Sequence, residues 1–250
     1  MRALRSLLVF GWLVLSLIPA GLTLLLLSPF LKPDRLWWWI AVPWLRGVIE
    51  AARLVGGVRY RISGWEHLPA AEDARRVVLC SKHQSTWETF FFPSRMPHPL
   101  AFVFKQELLR IPIFGWALGR LEMIHIDRSK RSEAWTRVAR QGRELMDRGK
   151  WVIMFPEGTR TERGARGSYK SGATRLACAT GAVVIPIALT SGKCWPRRSF
   201  RFLPGTIDVS IGPPIAAAGR EPGPLMREVE SWIEAEMRRL DPEAYAAPGR

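Results

Sequence analysis

The hydrophobic positions of the 250-residue chain begin with one uninterrupted apolar run, residues 7–27, that contains no charged residue. A helix of that length rises roughly 30 Å, which is about the hydrocarbon thickness of a bilayer. The run therefore predicts a membrane-anchoring helix. It has no polar face to suit a soluble helix, and no A-x-A cleavage pattern follows it, which argues against a removable signal peptide. Basic residues flank it on both sides, so the positive-inside rule leaves its orientation open.

A second apolar stretch, residues 36–55, is rich in tryptophan. Tryptophan favours the head-group layer, where its ring is buried and its N–H stays hydrated. The stretch predicts an interfacial helix that is broken or kinked near Pro43. Two alternatives stay open. The segment could be a core helix of the globular domain, or both segments could form a hairpin in one leaflet, helped by Pro19 and Pro29.

From residue 58 onward, short apolar runs alternate with amphipathic stretches. We expect strands at 77–80, 101–104, 123–126, 151–155, 183–189, 200–202 and 207–211. We expect helices at 86–92, 113–119, 131–148, 172–179 and 225–239. This alternation predicts an α/β fold with a mixed central sheet flanked by helices. The division that follows is an anchor at 1–57, a globular domain at 58–240 and a frayed tail at 241–250.

The composition narrows the function classes. Hydrophobic residues make up 48% and charged residues 24%, which is too apolar for a disordered protein and too charged for a polytopic channel. A net charge of +15 favours anionic lipid, phosphorylated small molecules or nucleic acid as partners. Three cysteines without a C-x-x-C pair exclude a disulfide framework and a thiolate zinc site, and favour a reducing compartment.

A strand-to-helix segment, residues 81–88, is the first candidate for chemistry. His83 and Glu88 converge if His83 lies in the turn and the helix starts near Ser85. A carboxylate on one imidazole nitrogen fixes the tautomer and leaves the other nitrogen as a base, which alcohol acylation needs. The alternative is a capping box, S-x-x-E, in which Glu88 only caps the helix. The elbow of serine hydrolases, the zincin motif and the P-loop are absent from the sequence.

A second candidate follows the strand at 151–155. Gly158 permits a tight turn and a close backbone approach, and Arg160 offers a planar fork of donors that matches a phosphate. Glu157 can hold that fork in place. The alternative is a polar turn with a local ion pair. Lys105 and Arg128 also follow predicted strands, so one anion could meet them together with Arg160 at the strand ends.

In these residues and their order, the sequence resembles the lysophospholipid acyltransferases, specifically the bacterial 1-acyl-sn-glycerol-3-phosphate acyltransferases. Four blocks match in order over roughly residues 60–215. They are His83 to Glu88, Lys105 through 111–115 to Arg128, residues 155–160, and residues 184–188. The family pattern His-x-x-x-x-Asp ends here in Glu88, which is one methylene longer. The resemblance implies a glycerolipid acyltransferase-like fold.

The resemblance also implies roles. His83 takes a proton from the free hydroxyl of 1-acyl-sn-glycerol-3-phosphate (lysophosphatidic acid), Glu88 orients His83, and the oxygen attacks the thioester of acyl-CoA or acyl carrier protein to give phosphatidic acid. The acceptor's phosphate is held by Arg160, with Lys105 and Arg128 adding to the site and the turn contributing Glu157, Gly158 and Thr159. No covalent acyl-enzyme, metal or cofactor is implied.

The implied surroundings are a bilayer and the cytoplasm. Both substrates are amphiphiles, the thioester donors are cytoplasmic, and the basic surface suits anionic lipid. We therefore expect the bacterial inner membrane, with the catalytic domain facing the cytoplasm. Glu88 in place of aspartate leaves a different lysolipid acceptor open, such as a lyso-ornithine lipid. A basic, membrane-tethered binding protein is the non-enzyme alternative. No nucleic-acid partner is expected, because the basic residues form no stacking platform.

Overall fold

The computed structural model describes residues 2–70, 72–126 and 131–246. The helices are α1 Arg2–Leu27, α2 Pro33–Leu36, α3 Val42–Leu54, α4 Trp87–Arg95, α5 Phe114–Gly119, α6 Arg131–Asp147, α7 Gly172–Thr180, α8 Pro222–Leu240 and α9 Pro242–Tyr245. The strands are β1 Val58–Ser63, β2 Val77–Ser81, β3 Leu100–Lys105, β4 Ile124–Ile126, β5 Trp151–Met154, β6 Val183–Leu189, β7 Gly205–Ile211 and β8 Ile215–Ala216.

The described strands form one eight-stranded mixed sheet in the order β1-β7-β6-β2-β5-β3-β4, with β8 beside β6. The pairs β6–β2, β2–β5, β5–β3 and β3–β4 are parallel, whereas β6–β7 and β6–β8 are antiparallel. Strands β2, β5, β3 and β4 therefore end at the same edge of the sheet. This arrangement confirms the predicted mixed sheet flanked by helices and places the candidate residues after β2 and β5 near one another.

Two hydrophobic layers cover the faces of the sheet, because successive strand residues point to opposite sides. Val77 and Leu79 of β2 pack into the layer formed with α3 and α4. Val78 and Cys80 pack into the layer formed with α6, α7 and α8. Strand β2 is buried throughout, which explains why it is continuously apolar rather than alternating.

Pro186 lies inside the buried strand β6, where a proline would ordinarily remove a ladder hydrogen bond. The strand changes partners at this point. Residues 183–184 pair with β8 and residues 187–189 pair with β7, so Pro186 falls between the two antiparallel ladders. The proline therefore costs no antiparallel hydrogen bond on that edge.

The N-terminal helices pack on the domain. Helix α1 is the one described helix long and apolar enough to cross a membrane, over Ala3–Leu27. The tryptophan-rich stretch forms α2, a π-helical turn Trp37–Ala41, and α3. The turn widens because Pro43 lacks an N–H and its ring crowds the carbonyl four residues earlier, and the Val42 N–H bonds instead to the Trp37 carbonyl.

The structure shows that this segment contributes to the domain core, which was one of the open alternatives. One face of this segment, including Trp37, Leu45 and Ile49, is buried in the domain core. Trp38 and Trp39 stay exposed on the other side. The segment is therefore a core helix on one face, and its placement at a membrane interface stays a prediction.

Two expectations are corrected, and two strands were not expected. Residues 200–202 form no strand, because the Phe202 N–H bonds to Ser6 Oγ and this loop packs on α1. Strands β1 and β8 were not expected from the pattern. The sequence predicts fraying from Asp241 onward, but α9 is helical and the buried Asp241 carboxylate accepts two hydrogen bonds from Arg163 at 2.7 Å. Residues 247–250 of the expected tail lie outside the described residues.

Candidate active site

The loop after β2 is fixed by backbone hydrogen bonds on both sides of His83. The Lys82 N–H donates to the Ile187 carbonyl at 2.9 Å, which continues the β2–β6 pairing. The His83 carbonyl accepts the Thr161 N–H at 2.7 Å and the Thr161 hydroxyl at 3.1 Å. These contacts bring together the two segments that the sequence singled out, residues 81–88 and 155–160.

His83 and Glu88 form a hydrogen-bonded pair. Nδ1 of His83 lies 2.8 Å from Oε2 of Glu88, and the Glu88 side chain is fully buried. An ionised carboxylate can only accept, so Nδ1 carries the proton and Nε2 keeps a lone pair. The His83 ring stacks on Phe155 with its centroid 3.9 Å away, and 13% of its side chain remains exposed. The pair therefore has the form of an oriented base.

The same carboxylate also performs the capping role that the sequence offered as the alternative. Oε1 of Glu88 accepts the N–H groups of Gln84 and Ser85, each at 2.9 Å. Oγ of Ser85 accepts the Trp87 N–H at 3.1 Å, where α4 begins. The capping interpretation is therefore confirmed, and the same carboxylate also contacts the imidazole; the catalytic role of the pair stays a prediction.

Ser191 is a further residue at this pair that sequence reasoning missed. It is buried in a short 3-10 turn after β6, and its hydroxyl donates to Oε1 of Glu88. Glu88 thereby gains a fourth donor besides the two backbone groups and His83. Ser191 is 103 positions away along the chain, and nothing in the local pattern around it predicts the contact.

The turn after β5 places Arg160 beside His83. Gly158 has φ +65° and closes the turn with an N–H donated to the Phe155 carbonyl at 2.9 Å, a conformation that favours glycine. Gly158 and Thr159 are exposed and Arg160 is half-buried. Among the described residues, the Arg160 guanidinium has no hydrogen-bond or ion-pair partner. It is therefore available for an external anion.

Glu157 does not hold Arg160, contrary to the expectation. Its side chain is buried, with Oε1 3.3 Å from Nζ of Lys82 and in a long 3.4 Å hydrogen bond from the His83 N–H. It is buried together with the preceding Pro156, whereas the next two residues, Gly158 and Thr159, are exposed. Burial raises the pKa of Glu157 to about 7 against the opposing attraction of Lys82. Glu157 therefore contacts Lys82 and the backbone of His83 and does not line the cavity.

Lys82 is the centre of a buried ion network that sequence reasoning also missed. Its fully buried Nζ lies 2.7 Å from Glu234 on α8 and donates to the carbonyls of Ala165 and Arg166 at 3.0 and 2.8 Å. The Tyr169 hydroxyl donates to Glu234 at 2.8 Å. This network, Lys82–Glu157–Glu234–Tyr169, joins the His83 loop to the segment that follows Arg160.

Two predicted phosphate ligands are not tested by the structure. Lys105 ends β3 at the same sheet edge as β2 and β5, but its side chain is outside the description. Arg128 lies outside the described residues. Their meeting with Arg160 remains a prediction.

A cavity of about 1030 Å³ opens over His83 and Arg160. One part of its wall is apolar, with Phe102, Phe104, Leu108, Val138 and Met154. Another part is basic. Its described cationic lining residues are Arg160, Lys170, Arg175, Arg197 and Arg198, and no described carboxylate lines it. The cavity thus has the two characters that a phosphorylated amphiphile requires. No cluster of three or more potential metal ligands occurs within the described residues.

Comparison with known proteins decides the family. The acyltransferase family profile matches residues 59–190. A 1-acyl-sn-glycerol-3-phosphate acyltransferase from Pseudomonas aeruginosa is 39% identical over 244 residues, covering 96% of this chain and 93% of that protein. The chain belongs to the 1-acyl-sn-glycerol-3-phosphate acyltransferase family. A chloroplastic member from Arabidopsis thaliana is 33% identical over 72% of this chain and 49% of that protein.

The fold of this acyltransferase also matches a crystal structure. The 1-acyl-sn-glycerophosphate acyltransferase of Thermotoga maritima superimposes with a TM-score of 0.80, covering all of this chain and 98% of that one at 19% identity. Family membership makes the chain an enzyme, so the hypothesis of a binding protein without catalysis is wrong.

Proposed function

We propose that this acyltransferase transfers a fatty acyl group from acyl-CoA or acyl carrier protein to the free hydroxyl of 1-acyl-sn-glycerol-3-phosphate, forming phosphatidic acid. The observation that carries the proposal is the His83–Glu88 pair, whose histidine lines the same cavity as Arg160. The relatives named above for this reaction support the acceptor.

The chemistry follows from that geometry. Nε2 of His83 takes the hydroxyl proton while the oxygen attacks the thioester carbonyl. Glu88 stabilises the imidazolium that forms. The tetrahedral intermediate then breaks its C–S bond, and the leaving thiolate takes the proton back from His83 as a free thiol. The acyl group passes directly to the acceptor, so the mechanism uses no covalent enzyme intermediate, metal or cofactor.

Arg160 is the proposed ligand of the acceptor's phosphate. Its neighbour Thr161 is bonded to the His83 carbonyl, so the guanidinium and the imidazole belong to adjoining segments. In lysophosphatidic acid the phosphate and the reacting hydroxyl are on neighbouring glycerol carbons, so the residues that bind them must line the same cavity, as Arg160 and His83 do. The planar guanidinium fork matches phosphate oxygens.

The proposed location is the cytoplasmic face of the bacterial inner membrane. Along α1, Ser6 contacts Phe202, Ser16 contacts Trp44, and Gly21 fits closely against Ile113. These contacts extend over about 23 Å of helix. A helix held against the domain over that length suits a position in one leaflet, with its exposed leucines in lipid, better than a separate transmembrane span.

The decisive experiment is acyl transfer to lysophosphatidic acid by His83→Ala. The proposal expects a loss of kcat of about 10²- to 10⁴-fold, the usual contribution of a general base. His98→Ala is the matched control, because His98 binds the Gly149 carbonyl away from the cavity. Retained activity in His83→Ala with a folded, membrane-bound protein would end the mechanism.

A panel of lysolipids tests the acceptor. The longer Glu88 side chain raised the possibility of another lysolipid, but its contact with His83 is intact at 2.8 Å. The proposal therefore expects the enzyme to prefer lysophosphatidic acid over a lyso-ornithine lipid. Arg160→Ala should remove most of that preference by raising the KM for lysophosphatidic acid. If the wild-type enzyme does not acylate lysophosphatidic acid, the proposed acceptor is wrong and another lysolipid is the substrate.

A further inference from the structure

The cavity carries more positive charge than one acceptor needs. Five basic side chains from the described residues line it, and no described carboxylate does. A phosphate monoester carries at most two negative charges. Arg160, Lys170 and Arg175 follow β5, whereas Arg197 and Arg198 belong to the separate loop between β6 and β7. Arg197 and Arg198 are therefore available to bind a second anion.

Arg197 and Arg198 are the central residues of a well-built turn. The Ser199 N–H donates to the Pro196 carbonyl at 3.3 Å, and Nε1 of Trp195 donates to the Ser199 carbonyl at 2.9 Å. The Leu203 N–H closes the loop on the Cys194 carbonyl at 2.8 Å. The two arginines are thus presented by a fixed backbone.

The backbone of this turn is strained at Arg198, which has φ +54°. The third position of a turn with positive φ favours glycine or asparagine, and another residue there costs about 1 kcal/mol or more. Neither Arg197 nor Arg198 forms a hydrogen bond or an ion pair with another described residue. An arginine that is unfavourable for its turn and unpaired within the protein is explained if its side chain binds a ligand.

Aromatic packing ties this turn to the membrane helix. The ring of Phe10 on α1 lies 5.5 Å from Trp195, 5.1 Å from Phe200 and 5.3 Å from Phe202, measured between centroids. The turn therefore stands between the anchor and the cavity. A ligand that brings an acyl chain to the lipid boundary and keeps a phosphate in water would pass this point.

We propose that Arg197 and Arg198 bind the phosphate of the phosphopantetheine arm of the acyl thioester donor. This inference rests on the proposed function and assigns its second substrate. The acceptor's phosphate must lie close to its reacting hydroxyl, which suits Arg160. The donor's phosphate is separated from the thioester by the whole pantetheine arm, which suits a pair of arginines on another wall of the cavity. Acyl-CoA and acyl carrier protein share this arm.

The test compares donors that differ only in this phosphate. Acyl-phosphopantetheine and acyl-pantetheine are supplied at saturating lysophosphatidic acid, and kcat/KM for the donor is measured. The wild-type enzyme should favour the phosphorylated donor by about 10- to 100-fold, as expected for hydrogen bonds between charged groups. Arg197→Ala/Arg198→Ala should lower that ratio toward one and leave the KM for lysophosphatidic acid unchanged. An unchanged ratio, or a raised acceptor KM, would overturn the assignment.

Two matched variants test whether the effect on donor selectivity comes from phosphate binding rather than from positive charge in general or from a folding defect. Arg201→Ala removes an exposed arginine of the same loop that does not line the cavity, and it should keep the wild-type ratio. Arg198→Gly relieves the strained backbone, so it should melt no lower than the wild type while it uses the phosphorylated donor less well. A lower melting temperature with full donor selectivity would mean that Arg198 serves the fold instead.

The source of the phosphate is distinguished with acyl-CoA and acyl carrier protein in parallel. Loss of kcat/KM with both donors in the double variant supports recognition of the shared arm. Loss with acyl-CoA alone, with the phosphopantetheine ratio retained, would assign the arginines to the nucleotide phosphates and overturn the proposal. Calorimetric binding of 4′-phosphopantetheine in the absence of acceptor gives a readout without turnover, so it stays informative even if lysophosphatidic acid is not the acceptor.

Discussion

Nδ1 of His83 lies 2.8 Å from the carboxylate of Glu88, although glutamate is one methylene longer than the aspartate of the family pattern. The extra length is taken up at the start of α4. Helix α4 begins at Trp87, and the Glu88 side chain folds back so that Oε1 accepts the Gln84 and Ser85 N–H groups and Oε2 accepts His83. The longer residue therefore keeps the contact with the imidazole.

This geometry predicts different effects for two substitutions of Glu88. Glu88→Gln keeps the shape but removes the charge that stabilises the imidazolium, so kcat should fall by about 10²-fold or more. Glu88→Asp cannot reach both the backbone donors and His83 from the same helix start, so kcat should fall by about tenfold, equivalent to one charge-assisted hydrogen bond. Steady-state kinetics with lysophosphatidic acid measures both.

The control for this pair is Glu50→Gln. Glu50 is a carboxylate on α3 that pairs with Arg53 and Arg95 outside the cavity. Its substitution should leave kcat unchanged. Wild-type activity in Glu88→Gln would show that the histidine needs no carboxylate here.

The fold was predictable where burial is complete. Strands β2, β5 and β6 are continuous apolar runs, and the structure places them at the centre of the sheet. Strand β1 escaped prediction because Arg59 and Arg61 interrupt it, and it is recognisable only through its pairing with β7. Residues 200–202 are aromatic for another reason, since they pack against Phe10 of α1.

The site was predictable only where its residues are close in sequence. His83 and Glu88 are five positions apart, and the strand-to-helix turn already suggests that they converge. Lys82 meets Glu234 across 152 positions, and Ser191 meets Glu88 across 103. Such contacts depend on how β6 and α8 pack on the sheet. The inward direction of the Glu157 side chain likewise depends on its buried contact with Lys82.

Lys82 should be important for stability. Lys82→Met removes the cation between Glu157 and Glu234 and leaves two buried acidic side chains without a positive partner. The free energy of unfolding should fall by about 3–5 kcal/mol, the usual cost of removing one partner of a buried pair. Urea unfolding in detergent measures this change. Arg166→Ala is the control, because its ion pair with Glu230 is exposed and should contribute about 0–1 kcal/mol.

Glu157 should make stability depend on pH. Burial raises its pKa in the folded protein to about 7, from 4.5 for an ordinary glutamate. Between these values the folded state holds a proton that the unfolded state has lost. The contribution of Glu157 to the free energy of unfolding therefore decreases as pH rises from about 4.5 to 7, by about 3 kcal/mol in all. The groups around it are Lys82, Glu234, Tyr169 and Cys80.

Glu157→Gln tests this dependence. Glutamine stays neutral, so the stability of the variant relative to the wild type should increase as pH rises through that window. Thermal or urea unfolding of both proteins at pH 5, 6, 7 and 8 gives the difference directly. A difference that does not vary with pH would show that Glu157 is already ionised throughout, held by Lys82.

The exposed face of α1 should control membrane attachment. Leu7, Leu15 and Leu26 are each about 70% exposed on the protein although they belong to its most apolar segment. Immersing such a side chain in lipid contributes about 2 kcal/mol. Replacing all three with aspartate should release the enzyme from sedimenting phospholipid vesicles, whereas replacing them with alanine should weaken binding only in part. Both variants should still acylate a soluble short-chain lysophosphatidic acid, because none of the three leucines lines the cavity. Full vesicle binding by the aspartate variant would mean that α1 does not enter the lipid and that the exposed tryptophans of the second segment hold the enzyme at the membrane alone.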